Sequence, residues 1–214
     1  MGILERKERE KQQRRKDIIS AAEGVFFLKG FERATMDDVA EKAELSKGTL
    51  YLYFKSKEDL HLAVAMKAIE QLSETTDRIR NSEVNGLQKL VQLGRAFIQF
   101  ARQFPDHMNA ILRLEGMDLK NTSMSTADMR QFLFERSPVK LVLEFISQGL
   151  EENVIRKDIE PQVIAHTLWM QTLGIIQVLA FKKSLFEIIE LSPDELFENH
   201  IELLLNGIRV NSHQ

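Results

Sequence analysis

The chain of 214 residues contains no cysteine, which excludes disulfides, thiolate metal sites and a cysteine nucleophile. It has no apolar run near the roughly eighteen residues that a bilayer-spanning helix needs. The charged stretch over residues 1–16 lacks the apolar segment of a secretion signal. A soluble, cytoplasmic protein with no membrane partner is expected. There is no glycine-rich phosphate loop and no strained nucleophile turn. His61, His107, His166, His200 and His213 are scattered and never take the paired spacing of a metal-binding helix. No cofactor, metal or catalytic group is therefore expected, and the chain does not read as an enzyme. Sustained period-two alternation is also missing, and β-branched clusters are few, which argues against strands.

What remains is helix. Ile18, Ala21, Ala22, Val25, Phe26 and Leu28 repeat at helical spacing, and Gly30 ends that helix with a left-handed cap. Further helices are expected over about 57–80, 86–103 and 105–115, the Asn85-Gly86 break being a weak signal. Residues 120–125 read as a loop. A seventh helix follows, is interrupted at Ser137-Pro138 and resumes to about residue 152. Pro161 starts an eighth, and Ser192-Pro193-Asp194-Glu195 starts a ninth with cap, proline and capping box in order. The expected architecture is all-α with about nine helices: a three-helix head over 1–56 and a larger helical body over 57–214.

The head carries the informative signal. Thr35 caps a short helix with Asp37 and Asp38 in its first turn, and Ala40 permits a close helix crossing. After a turn at Glu44-Leu45, Ser46 caps a second short helix in which Leu50 is the one strongly apolar early position. Lys47, Gly48, Thr49, Tyr51 and Tyr53 are small, hydroxylated or basic, so this helix gains little by packing and is suited to present itself to a partner. That is the helix-turn-helix unit, whose second helix enters the major groove of DNA. Net charge is −3, but it is unevenly spread. Over residues 1–16 seven basic residues face three glutamates, and over residues 42–57 four lysines face only Glu44. Two basic runs flanking a recognition-type helix supply the phosphate neutralisation that drives DNA binding.

The stretches Gly30-Phe31-Glu32-Arg33-Ala34-Thr35-Met36-Asp37-Asp38-Val39-Ala40 and Lys47-Gly48-Thr49-Leu50-Tyr51-Leu52-Tyr53-Phe54-Lys55-Ser56-Lys57-Glu58-Asp59-Leu60 resemble the amino-terminal domain of the tetracycline-repressor (TetR) family over roughly residues 14–64. One departure is Glu44, where the family usually has glycine; a left-handed non-glycine there costs about 1–2 kcal/mol. The resemblance implies a regulator of transcription, most often a repressor, that binds a palindromic operator as a homodimer and is released by a small effector. Thr35, Ser46, Lys47, Gly48, Thr49, Tyr51, Tyr53, Lys55 and Lys57 are the expected DNA-binding residues, Lys47 to Thr49 at the groove edge and Thr35, Tyr53 and Lys57 on phosphates. The recognition helix has no Arg, Asn or Gln for bidentate base reading, so no operator can be written from it.

The eighth helix is apolar on almost every side and must be covered all round. A second copy is the simplest cover, and the ninth helix offers a matching face, giving a two-fold four-helix interface. Trp169, Ile176, Leu196, Ile201, Leu204 and Ile208 are its expected residues. The family's small-molecule pocket is expected among the middle helices, lined by Phe97, Phe100, Met108, Met117, Phe132 and Trp169, a lining suited to a bulky, largely apolar ligand. Arg95, Arg113, His107 and His166 are candidate polar anchors. Two other readings stand beside this one: a helical small-molecule-binding or enzymatic bundle with an incidental basic head, and a regulator answering to a protein partner.

Overall fold

The computed structural model describes residues 2–118, 122–125, 127, 128, 132, 138–181, 186, 188 and 190–210. Among them lie nine α-helices: α1 (Ile3–Lys29), α2 (Met36–Lys42), α3 (Lys47–Tyr53), α4 (Lys57–Arg80), α5 (Gly86–Gln103), α6 (Pro105–Glu115), α7 (Pro138–Glu151), α8 (Pro161–Phe181) and α9 (Pro193–Ile208). The class is all-α. Ile155 and Arg209 form an isolated antiparallel bridge, and no strand occurs among the described residues. Each of the four prolines is the first residue of a helix, where its missing N–H would have had no partner anyway. The helix expected upstream of Ser137 falls largely outside the described residues, as do Phe134 and Ser137 themselves.

The chain forms two compact units, one made of Met1–Ala68 with Asn109–Asp128 and the other of Ile69–Met108 with Met129–Gln214. The first unit therefore extends beyond residue 56, and two of the three divisions fall inside α4 and α6.

In the first unit Ile18 and Ala22 of α1, Val39 of α2, Leu50 of α3 and Leu60 of α4 are completely buried. Thr35 caps α2 as expected: its hydroxyl accepts from the Asp38 amide at 3.1 Å, while the Asp38 carboxylate accepts from the Thr35 amide at 3.0 Å. The Asp38 carboxyl is held below its ordinary range, first by the Lys29 ammonium and then by these Thr35 bonds. The turn between α2 and α3 puts Glu44 at φ 54, in the left-handed region that favours glycine. An ion pair between Lys67 and Glu23 ties α4 to α1.

In the second unit α5 packs on α7 and α9, and α8 packs on α7. The α5–α7 crossing is close because it is made of glycine. A Cβ on Gly86 would lie 2.3 Å from the Phe145 carbonyl oxygen and 2.4 Å from the Gly149 nitrogen. Asn85 caps α5, accepting from the Gln88 amide at 2.9 Å, and the Gly86 amide donates to Glu152 at 2.7 Å. Asn85-Gly86 is thus a firm helix start.

Candidate nucleic-acid interface

The recognition-type helix α3 is anchored by little. Leu50 is its buried residue, Ser46 accepts from the Thr49 amide at 3.1 Å, and Phe54 closes its carboxyl end. Lys47, Gly48 and Leu52 are exposed and Thr49, Tyr51 and Tyr53 half-buried. The side of α3 turned away from the core thus offers one ammonium, two phenols, a hydroxyl and a bare stretch of backbone at Gly48. Neither phenol has a hydrogen-bond partner among the described residues, whereas the Thr49 hydroxyl lies 2.8 Å from that of Ser46. Leu52, 76 % exposed, had no place among the expected DNA-binding residues. An apolar side chain on a recognition helix can meet a thymine methyl group, and the signal available in the sequence was its position between Tyr51 and Tyr53.

The lysines divide by what they hold. Lys47 pairs with Asp37 of α2 at 2.8 Å, and the hydrogen bond to that carboxylate raises its pKa; a phosphate would have to replace Asp37. Lys55 is exposed, its ammonium donating to the Tyr51 carbonyl at 3.0 Å. Lys57 is engaged differently. Its ammonium donates to the carbonyl oxygens of Phe31, Glu32 and Ala34 at 2.9, 3.3 and 3.1 Å and lies 4.4 Å from the centre of the Phe31 ring. An ammonium has three protons, and three carbonyls take them. The expected phosphate contact of Lys57 is corrected on this geometry: the residue staples the loop between α1 and α2 to the start of α4.

A buried cluster lies next to that staple. His61 packs edge-on against Phe31 and Phe26, with ring centroids 4.9 and 6.1 Å away. Arg113 stacks 3.9 Å over Phe31 and donates to Glu32 at 2.6 Å. Burial, then the Arg113 charge, lower the His61 pKa to about 4, against a weaker opposing hydrogen bond to the Ala110 backbone. His61 is therefore neutral near pH 7. Asp59, also buried, accepts from the amides of Lys55 and Ser123 at 3.1 and 2.6 Å.

In the second unit the expected effector residues separate. Phe97 and Trp169, 5.3 Å apart edge to face, line a narrow apolar cavity among α5, α7, α8 and α9, with Leu90, Val142, Leu168 and Ile201. Phe97 and Leu93 are also the wall of a cleft of about 270 Å³ among α4, α5 and α7, whose other residues include Thr76, Asp77, Arg80, Lys140 and Leu141. Phe100 and Met108 are buried and line neither space, because Phe100 turns to Phe104 at 5.2 Å. Met117 belongs to the first unit, and Phe132 is buried without lining either space. The candidate anchors are also corrected. Arg95 pairs with Glu198 at 2.7 Å, Arg113 is held as above, His166 is exposed with Nδ1 2.7 Å from the Gln162 carbonyl, and His107 faces Phe104. Arg80 and Lys140 line the larger cleft, and Arg80 is itself paired with Glu144 at 3.0 Å.

The outward face of α8 and α9 needs a similar correction. Trp169, Ile176, Ile201 and Ile208 are at most 8 % exposed, so their own chain covers them, while Leu196 and Leu204 are half-buried. Left uncovered are Val163, Met170 and Val178 on α8 and Leu203 on α9. Among the described residues no group of His, Cys, Asp and Glu could hold a metal ion, and no helix is long and apolar enough to cross a membrane.

A sparsely anchored helix with polar and basic exposure, set by a tight turn on a small helical unit, is the geometry of a helix-turn-helix unit. Residues 18–64 match the family model described as bacterial regulatory proteins, tetR family. The chain is 32 % identical over 90 residues to the HTH-type transcriptional activator FasR of Mycolicibacterium smegmatis, an alignment covering 42 % of this chain and 41 % of that one. It therefore spans less than half the length of that relative. With the fatty acid metabolism regulator protein of Bacillus subtilis it shares 23 % identity over 203 residues, 92 % of this chain and 98 % of the relative. The crystal structure of Thermus thermophilus FadR, a TetR-family repressor in complex with lauroyl-CoA, superposes with a TM-score of 0.67 at 23 % identity, covering 92 % of this chain and 96 % of that one. Residues 18–64 are thus similar to the amino-terminal domain of the tetR family, and the relatives named here are regulators of transcription.

Proposed function

We propose that this protein is a repressor that binds a palindromic operator as a homodimer, α3 of each protomer in a major groove, and is released by an acyl-chain effector. Residues 1–56 serve DNA and residues 57–214 serve effector binding and dimerisation, α4 being shared between the compact units. The observation that carries the DNA reading is α3 itself, where Leu50 alone is buried while Lys47, Gly48 and Leu52 are exposed and the half-buried Tyr51 and Tyr53 keep their phenols without a hydrogen-bond partner among the described residues. The dimer reading rests on Val163, Met170, Val178 and Leu203, large apolar side chains exposed on the two carboxyl-terminal helices. A cytoplasmic place follows from the DNA reading.

The effector reading rests on two adjoining spaces. The larger cleft has Lys140 in its lining, with Arg80 available only by giving up its pair with Glu144, and the narrow apolar cavity beyond Phe97 and Leu93 suits a hydrocarbon tail. The relative matched over nearly its whole length regulates fatty acid metabolism, and a similar fold holds lauroyl-CoA. An acyl thioester with a medium or long chain is the corresponding ligand for this chain.

Selection of duplexes from a random-sequence library, followed by footprinting of the recovered DNA, tests the first half. One protected inverted repeat is the expected result, and failure to enrich any sequence overturns it. Calorimetry with lauroyl-CoA tests the second. Binding that weakens when the selected duplex is present is expected, because coupling between two sites is reciprocal; equal affinity with and without DNA overturns release by that ligand.

A further inference from the structure

We propose that the amino-terminal part of α1, ahead of its packed half, is a second DNA-binding element that grips phosphates flanking the half-site; this rests on the DNA reading above. Helix α1 begins at Ile3, yet its first buried residue is Ile18. Of the residues before it whose side chains are described, each is exposed. The family match begins only at residue 18. The fifteen helical residues ahead of Ile18 reach about 22 Å, roughly six to seven base pairs of duplex at about 3.4 Å each.

The charges on this extension are ordered. Lys7, Lys11 and Arg14 follow one another at helical spacing, and the same row continues into Ile18, Ala22 and Val25, the buried side of α1. Arg15 lies beside that row, and its guanidinium sits 4.8 Å over the ring of Phe54, the residue that closes the recognition helix. The cationic row is thus the continuation of the face that α1 turns towards the helix-turn-helix, not its outer face.

None of the acidic side chains on the extension is paired with this row. Glu5 accepts from the Gly2 amide at 2.9 Å, Glu8 from Gln12 at 2.9 Å and Asp17 from Gln13 at 2.9 Å, and Glu10 pairs with Arg6 at 2.8 Å. Lys7, Lys11 and Arg14 have no carboxylate partner among the described residues. A helix that lies on a membrane needs an apolar face opposite its charges, and Leu4 is the one large apolar residue between Ile3 and Ile18. A polyanion that extends past the recognition helix is the partner this row fits.

The test uses the full-length protein and its Lys7→Gln/Lys11→Gln/Arg14→Gln variant on the library-selected duplex, made short and with about eight extra base pairs on each side, the extra length exceeding the reach estimated above. Salt titrations by fluorescence anisotropy should show wild type preferring the long duplex. The variant should lose that preference, and its salt slope should fall by about 2.7 per protomer, three contacts at about 0.9 each. Its footprint should shorten at both ends while the central protection remains. The Thr49→Ala variant is the control: altered sequence preference with the long-duplex preference kept. Circular dichroism, and a Lys7→Arg/Lys11→Arg variant that should behave as wild type, separate charge from folding. An unchanged slope and footprint in the glutamine variant would overturn the proposal, as would loss of binding to anionic phosphatidylglycerol vesicles with DNA binding untouched. If no duplex is selected, the DNA reading fails, and the same slopes on a mixed-sequence 40-base-pair duplex (a length of about 136 Å at about 3.4 Å per pair) still decide whether the row binds phosphate.

Discussion

Lys57 and Lys55 stand two residues apart and should answer to different assays. Removing the Lys57 ammonium by Lys57→Met keeps the aliphatic stem but withdraws the donor shared by the carbonyls of Phe31, Glu32 and Ala34. Hydrogen bonds to a charged group contribute about 1.5–3 kcal/mol each. These three share one half-exposed ammonium, and water can reach part of the loop, so their sum is not additive. Loss of the cation over Phe31 removes about another 0.5–1 kcal/mol. A net destabilisation of roughly 2–4 kcal/mol is expected, read as a lower urea midpoint for the transition that reports the first compact unit. At saturating stability, in low urea, the variant should keep the salt slope of DNA binding. Lys55→Gln should do the reverse, leaving the urea midpoint in place and lowering the slope by about 0.9. A Lys57→Met protein with an unchanged midpoint and a slope lowered by one contact would refute the staple and restore Lys57 to the phosphates.

Three further outcomes follow from the same geometry. His61 has a lowered folded pKa of about 4, so the unfolded chain takes up its proton first; the stability this burial contributes is full above about pH 6.5 and is lost as pH falls towards 4, on the order of 3 kcal/mol in all. Urea midpoints from pH 7 to 4 should show this slope, and His61→Phe should flatten it; parallel curves would remove His61 as the cause. Glu44 sits at φ 54, so Glu44→Gly should relieve about 1–2 kcal/mol of strain and forfeit about 0.5–1 to chain entropy, for a small net rise in midpoint; a clear fall would mean that the Glu44 side chain supports the turn. Met170→Glu on the exposed side of α8 should split a dimer seen by light scattering while leaving the protomer folded, whereas Ile176→Glu buries a charge in the protomer itself and should unfold it; a dimeric Met170→Glu protein would place the interface elsewhere.

What could be read in advance followed from rules that are local along the chain. Caps at Thr35 and Ser46, prolines at four helix starts and the period of apolar residues each depend on near neighbours, and these held. Glu44 in the left-handed region was legible only through the resemblance, whose usual glycine at that turn marks the place. Side-chain allegiance was not legible. Lys57 reads as a surface cation until the chain brings Phe31, Glu32 and Ala34 to it, from 23 to 26 residues away. Phe100 and Met108 carry the composition of a pocket wall, but composition cannot say which neighbour a side chain turns to, and Phe100 turns to Phe104.

The carboxyl-terminal helices show the same limit from the opposite side. Apolar residues all round α8 implied a cover beyond one protomer's reach, and the implication is sound as physics. It does not tell which residues meet which cover. The large residues Trp169 and Ile176 are claimed by their own chain, because α5 and α7 come to them, and what is left outward is the more modest set of Val163, Met170 and Val178. Gly174 and Gly207 belong to the same argument: a Cβ on either would meet nothing within 4 Å, so neither glycine is required by the packing of its own protomer. A close approach of a second copy would give both a reason to be small. Gly174→Leu and Gly207→Leu should then weaken dimerisation without lowering the stability of the protomer, and helix propensity alone would make each substitution favourable by roughly 0.5–1 kcal/mol. Analytical ultracentrifugation beside a urea titration reads both quantities. A dimer as tight as wild type in both variants would show that these helices meet, if they meet at all, through a different face.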